Sequence, residues 1–347
     1  MTASPQHADH RSGGGNGRGV VYWVKLAFAR LGVLPFQLVL ALVIFTILSD
    51  MFLSLRNIVN VARQSTYLMI ASIGQMLVLL TGGFDLSIGT TIAVSSVVCA
   101  SAMAAISAAH PEAVSAAITG GIIAGLGAGM VIGVINGIGV AVFQVSPFMM
   151  TLGMSSVGFG IALYMTGGMP VYGMPRAFSD IFGFGFFFGI PTPVYVTIAL
   201  ILLVFILLNR TRMGRYIYAI GGNVKAAKLS GIGTRFHLFN VYVLCSVMAT
   251  IAGLLLTARM DTGEANTGTS MPLESIAACV IAGVSLRGGI GRVENVVLGA
   301  LFIGLIQNGM NLAGIESYLQ TVVIGILLIA AVIADQLRLH VVASMQE

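Results

Sequence analysis

The sequence predicts an all-α, polytopic membrane protein of about ten transmembrane helices. Three observations predict it. Of the 347 residues, 57% are hydrophobic and 8% are charged, where a soluble domain carries about 25% charged. The mean hydropathy is +0.98. The apolar residues also fall into runs of roughly 20, the length that crosses a hydrocarbon core about 30 Å thick. A surface so poor in charge cannot be kept wet, so its solvent is lipid.

Residues 1–30 open with the polar, Gly-rich stretch MTASPQHADHRSGGGNGRG, which buries too little surface to order itself and reads as a disordered cytoplasmic tail. No short apolar region with a small-residue cleavage site follows, so the first apolar run reads as a retained membrane helix. The spans fall near 33–50, 58–80, 87–109, 114–142, 147–166, 190–208, 236–258, 272–286, 293–312 and 318–336. They make one membrane domain over 31–338, with a second cytoplasmic tail at 339–347. The 272–286 run is short and is either a full span or a re-entrant segment sheltered by protein.

Charge sets the orientation. With the N-terminus inside, thirteen of the seventeen basic residues fall on the inner side, leaving Arg56, Arg63, Arg176 and Arg259 outside. That bias places both termini in the cytoplasm. Eight spans plus a re-entrant pair would satisfy it as well.

Within the spans, Gly121, Gly125, Gly129, Gly133 and Gly137 recur every four residues and mark a helix face for close packing. GVINGIGV (133–140) resembles GLIQNGMNL (304–312), and GGFDLSIGT (82–90) resembles AGVSLRGGIG (282–291), which suggests an internal repeat. Asp85 lies between two apolar runs, after a helix break at Gly82 and Gly83. It is either an N-cap accepting backbone N–H groups near residues 87 and 88, or one of a set of pathway or gate groups with Ser87, Asn136 and Asn308.

The segment 209–235, NRTRMGRYIYAIGGNVKAAKLSGIGTR, is a long basic cytoplasmic loop. Gly221 and Gly222 predict a turn, Asn223 an N-cap, and Gly231 the left-handed residue that ends a helix of about two turns. A short capped helix suits docking, and Ala226 and Ala227 are small enough to enter a partner's groove.

Several functions are excluded. Cys99, Cys245 and Cys279 lie in apolar runs without CxxC spacing, and the five histidines lack HExxH-type spacing, so no metal site is expected. No GxxxxGK[ST] loop occurs, so the chain has no such ATP site of its own. Asp85, Glu274 and Glu294 sit near span ends, which disfavours ion-coupled transport. No catalytic triad can be assembled, and the positive charge sits in loops rather than in a nucleic-acid-binding stripe.

These motifs carry a resemblance. TGGFDLSIGT (81–90), VINGIGVAVFQVSPFMMTLGMSSVGFGIALYMTGG (134–168), GRYIYAIGGNVKAAKLSGI (214–232) and LESIAACVIAGVSLRGGIGRVENVVLGALFIGLIQNGMNL (273–312) resemble the branched-type ABC permeases of monosaccharide importers. The resemblance covers about residues 35–337. It implies a permease homodimer, an ABC ATP-binding subunit that carries the ATP and Mg, and a periplasmic sugar-binding protein, in a bacterial inner membrane. It also implies that Gly221, Gly222, Asn223, Ala226, Ala227, Leu229, Ser230 and Gly231 form the coupling segment. Arg287, Glu294 and Asn295 stand where relatives more often carry small or uncharged residues.

Overall fold

The structure is a computed structural model that describes residues 34–344, with side-chain surroundings to residue 333. The predicted tail at 1–30 lies outside the described residues. In chain order the helices are α1 (Leu34–Leu48), α2 (Leu55–Leu80), α3 (Ile88–Ala109), α4 (Val114–Ala141), α5 (Pro147–Thr166), α6 (Thr192–Arg210), α7 (Arg212–Gly222), α8 (Val224–Leu229), α9 (Thr234–Met260), α10 (Met271–Ile281), α11 (Val293–Leu312) and α12 (Ser317–Ser344). A helical turn at Arg176–Phe178, a π turn at Ser179–Gly183 and a hairpin pairing Phe186–Phe187 with Ile190–Pro191 precede α6.

Six of the helices (α3, α4, α5, α6, α9 and α11) are long and apolar enough to cross a membrane. The rest of the predicted spans are less regular. At 26 residues α2 is long enough, but it carries Arg56, Arg63 and Gln75. It is the bundle's interior helix, buried along most of its length, so protein rather than lipid surrounds Gln75, while Arg56 is exposed in its first turn. The predicted 272–286 span is the 11-residue α10, too short to cross. The last helix runs on to Ser344, past the predicted start of the 339–347 tail.

The core is α9 packed against α2, α3 and α4. The predicted glycine face of α4 makes that packing possible. Gly121 meets Met103 and the Cys99 carbonyl on α3, while Gly129, Gly133 and Gly137 meet Thr250, Ser246 and Phe239 on α9. A side chain on any of them would push two backbones apart.

Two irregular segments interrupt the bundle. Residues 81–87 turn back from the end of α2 before α3 begins. Residues 261–270 leave α9 and run down the side of α3: Gly263 bridges Val171 and touches Ser96 and Ala100, Gly268 touches Ile92, and Pro272 reaches Gly89. Ala100 to Gly89 is about 16 Å of helix at 1.5 Å per residue, so this coil penetrates the bundle and α10 starts inside it. Backbone of this kind survives at membrane depth only where protein or a cavity covers it.

The two predicted repeat pairs occupy different places. GVINGIGV ends the second helix after its Gly-rich loop, and GLIQNGMNL ends the first after its own. The likeness is local. Asn136 ties the end of α4 to Ser87 at the start of α3, and Asn308 ties the end of α11 to Asn57 at the start of α2.

Candidate functional site

At one end of the bundle, α7 and α8 form a folded pair. Thr211 caps α7 by accepting the Gly214 N–H at 3.2 Å. Asn223, in extended conformation, breaks the chain, and its side chain accepts the Ala226 N–H at 3.0 Å to start α8. Gly231 ends it at φ +79. Its N–H donates to Lys228 O and the Ile232 N–H to Ala227 O, both at 3.1 Å, the Schellman closure that a left-handed residue permits.

Two expectations change here. Gly221 and Gly222 are not a turn; they are the last turn of α7, and Asn223 makes the break. Ala227 faces the chain's own body and is buried. Val224, Ala226 and Leu229 are exposed, with Leu229 89% accessible.

Gly221 is glycine because of what it touches. A Cβ there would overlap the Leu80 carbonyl oxygen and the Gly289 amide nitrogen. Gly289 N–H donates to Leu80 O at 2.9 Å, Gly288 lies against Gly82 and Gly221, and Tyr218 Oη donates to Gly291 O at 2.8 Å. Burial, with the negative charge of Glu294 nearby, pushes the Tyr218 phenol up from its usual range, so it keeps the proton it donates. The end of α7 is thus wedged between the loop leading to α3 (81–87) and the loop leading to α11 (282–292). We call this contact the glycine junction. A cavity of about 240 Å³ beside it is lined by Gly82, Gly83, Ser146, Tyr242 and the Val224 of α8.

The predicted pathway set is buried. Asp85 has no accessible surface. Its Oδ1 accepts the Ser87 N–H at 2.8 Å and the Ser87 hydroxyl at 2.6 Å, so the donor at residue 87 is a predicted one, but the N-cap of α3 is Ser87 and Asp85 lies in the turn before it. Asn136 donates to Ser87 Oγ at 2.7 Å. Thr151 accepts the Leu86 N–H at 3.1 Å, pinning the same loop to α5. Asn308 exchanges hydrogen bonds of 2.9 and 3.0 Å with Asn57, a partner that sequence reasoning missed. These residues hold helix starts in place.

A second open space, bordered by several hydroxyls, lies elsewhere. A cavity of about 260 Å³ is bounded by the start of α3 (Thr90), the middle of α5 (Ser155, Ser156, Phe159) and the descending coil (Thr269). None of these was singled out from the sequence. The available signal was an adjacent serine pair halfway along an apolar span. Among the described residues, no group of three or more His, Cys, Asp or Glu could hold a metal ion.

A bundle of helices long and apolar enough to cross a membrane, interrupted by irregular segments beside a cavity and carrying a capped helix at one end, defines the class of multi-pass membrane proteins. The comparisons narrow this. The model of a family described as "Branched-chain amino acid transport system / permease component" matches residues 57–332. The ribose import permease protein RbsC of Bacillus subtilis (strain 168) is 38% identical over 300 residues, 86% of this chain and 90% of its own. The D-allose transport system permease protein AlsC of Escherichia coli (strain K12) is 38% identical over 303 residues, 87% and 90%. The galactose/methyl galactoside import permease protein MglC of the same strain is 34% identical over 323 residues, 90% and 96%. No solved structure matches. The chain belongs to this ABC importer permease family.

Proposed function

We propose that the chain moves a monosaccharide or similar small polar solute inward across the bacterial inner membrane, in a homodimer served by a separate ATP-binding subunit and a periplasmic sugar-binding protein. The relatives named for ribose, allose and galactose support the solute class. ATP and Mg belong to the partner; this chain carries no cofactor. Both termini lie in the cytoplasm. The cationic residues of α7, α8 and the 282–292 loop gather at one end, while Arg63 stacks on Phe184 and Phe186, and Arg259 on Tyr67, at the other.

The observation that carries the mechanism is the glycine junction. The exposed edge of α8, Val224, Ala226 and Leu229, docks on the ATP-binding subunit. Displacement of α8 passes through Asn223 to α7, whose end touches both interrupted loops. One push therefore moves the starts of α3 and α11 together, and the membrane helices rock between outward- and inward-open states.

The test is reconstitution of permease, ATP-binding subunit and binding protein, with pentoses and hexoses scored by stimulated ATP hydrolysis and by uptake. Uptake should require ATP and ignore collapse of proton or sodium gradients. Dependence on either gradient without ATP would make the chain a secondary transporter. In the same system, Ala226→Trp should leave membrane abundance normal and abolish both co-purification of the ATP-binding subunit and uptake. Normal co-purification and uptake would end the docking assignment.

A further inference from the structure

We infer that the cavity between Thr90, Ser155, Ser156, Phe159 and Thr269 is the subsite through which the neutral sugar passes, an inference that rests on the import reading above. Its depth fits. Ser155 to Phe159 lie midway along α5, and Gly158 between them packs on Thr90. The interrupted elements converge there: α3 begins at Ile88, α10 at Met271, and the coil that lines the cavity has no regular backbone to hide in lipid.

Its chemistry is equally specific. Among the described residues the hydroxyls of Ser155 and Thr269 form no hydrogen bond, and Ser156 reaches its own helix only at 3.5 Å. Thr90 is turned back onto Ser87 O at 3.0 Å, so its proton is already used within the chain. Free hydroxyls at mid-bilayer are costly without a polar occupant. Phe159, one turn along α5 from Ser155, adds a flat apolar surface to the same lining. A monosaccharide offers the complement: a rim of hydroxyls and a face of C–H groups. The remaining lining residues are Gly89, Ala93, Ala265 and Pro272, so no charged side chain borders the space. Neutral polyols fit this lining and ionic solutes do not. Uncharged hydrogen bonds also keep binding weak, which suits a site that must release its solute.

The experiment uses the complete reconstituted transporter. Ser155→Ala combined with Thr269→Val removes both free hydroxyls at near-constant volume. Uptake should fall about tenfold or more, the worth of one or two uncharged hydrogen bonds. ATP hydrolysis stimulated by the loaded binding protein should persist, so that sugar moved per ATP drops. Ser155→Thr, which keeps a hydroxyl, should retain uptake. A second variant covers the case of poor folding. Ser155→Cys in the intact transporter should react with a small thiol reagent and be protected by the transported sugar; the native cysteines are all buried and stay silent. Unchanged uptake in the double variant, or no sugar protection at residue 155, overturns the assignment. If the unmodified transporter shows no sugar-stimulated hydrolysis at all, the import reading has failed instead.

Discussion

A carboxylate with no accessible surface survives in Asp85 because local donors meet it. Both Ser87 donors point at Oδ1, the Cys245 thiol lies against the same carboxyl, and among the described residues no cationic side chain pairs with it. An unpaired buried charge is expensive, so the side chain acts here as a hydrogen-bonding shape. Asp85→Asn keeps the accepting oxygen and is expected to retain membrane abundance and uptake within a few-fold. Asp85→Ala strands the Ser87 donors at a cost of about 1–3 kcal/mol and should lower abundance. Equal damage from both changes would show that the charge itself is used. The sequence made Asp85, Ser87, Asn136 and Asn308 visible, since polar side chains inside apolar runs are rare. It could not show that Asn136 closes on Ser87 and Asn308 on Asn57, because those pairings join residues 49 and 251 positions apart.

At the scale of elements, length and hydropathy located the regular spans closely, and the four-residue glycine period identified the packing face of α4. The interruptions were harder to read. Local signals flagged a break at Gly82 and a short segment at 272–286, yet the descent of 261–270 along α3 leaves no periodic trace. Gly221 and Gly222 misled in a definite way. Glycine was read as a turn former, whereas Gly221 is required by close approach to Leu80 and Gly289. The α4 assignment permits an internally controlled test. A Cβ at Gly129 would overlap Thr250, whereas Gly127 has nothing within 4 Å and is exposed. Gly129→Leu should therefore sharply reduce membrane abundance, since overpacking costs about 1–3 kcal/mol or more. Gly127→Leu should leave it unchanged. Equal tolerance of the two would refute the packing role.

For the whole molecule, α5 raises a question that a single chain does not answer. Gly153 and Gly160 have nothing within 4 Å of where a Cβ would be, Ser156 beside them is exposed, and Tyr164 further along is 89% accessible. These positions recur at helical spacing on one outward face. A small-residue face gains little from lipid tails but allows a second helix to approach closely. Ser156 both lines the cavity and is exposed on this face, so lipid there would meet its hydroxyl. The proposed homodimer resolves both costs if α5 of one copy packs near α5 of the other and walls off the path between them. Gly160→Cys should then cross-link between copies with a short bifunctional thiol reagent in native membranes, and added sugar and binding protein should change the yield. Gly127→Cys, on the outward face of α4, should not cross-link. Efficient linkage at residue 127 with none at 160 would place the second copy elsewhere and leave the α5 face to lipid.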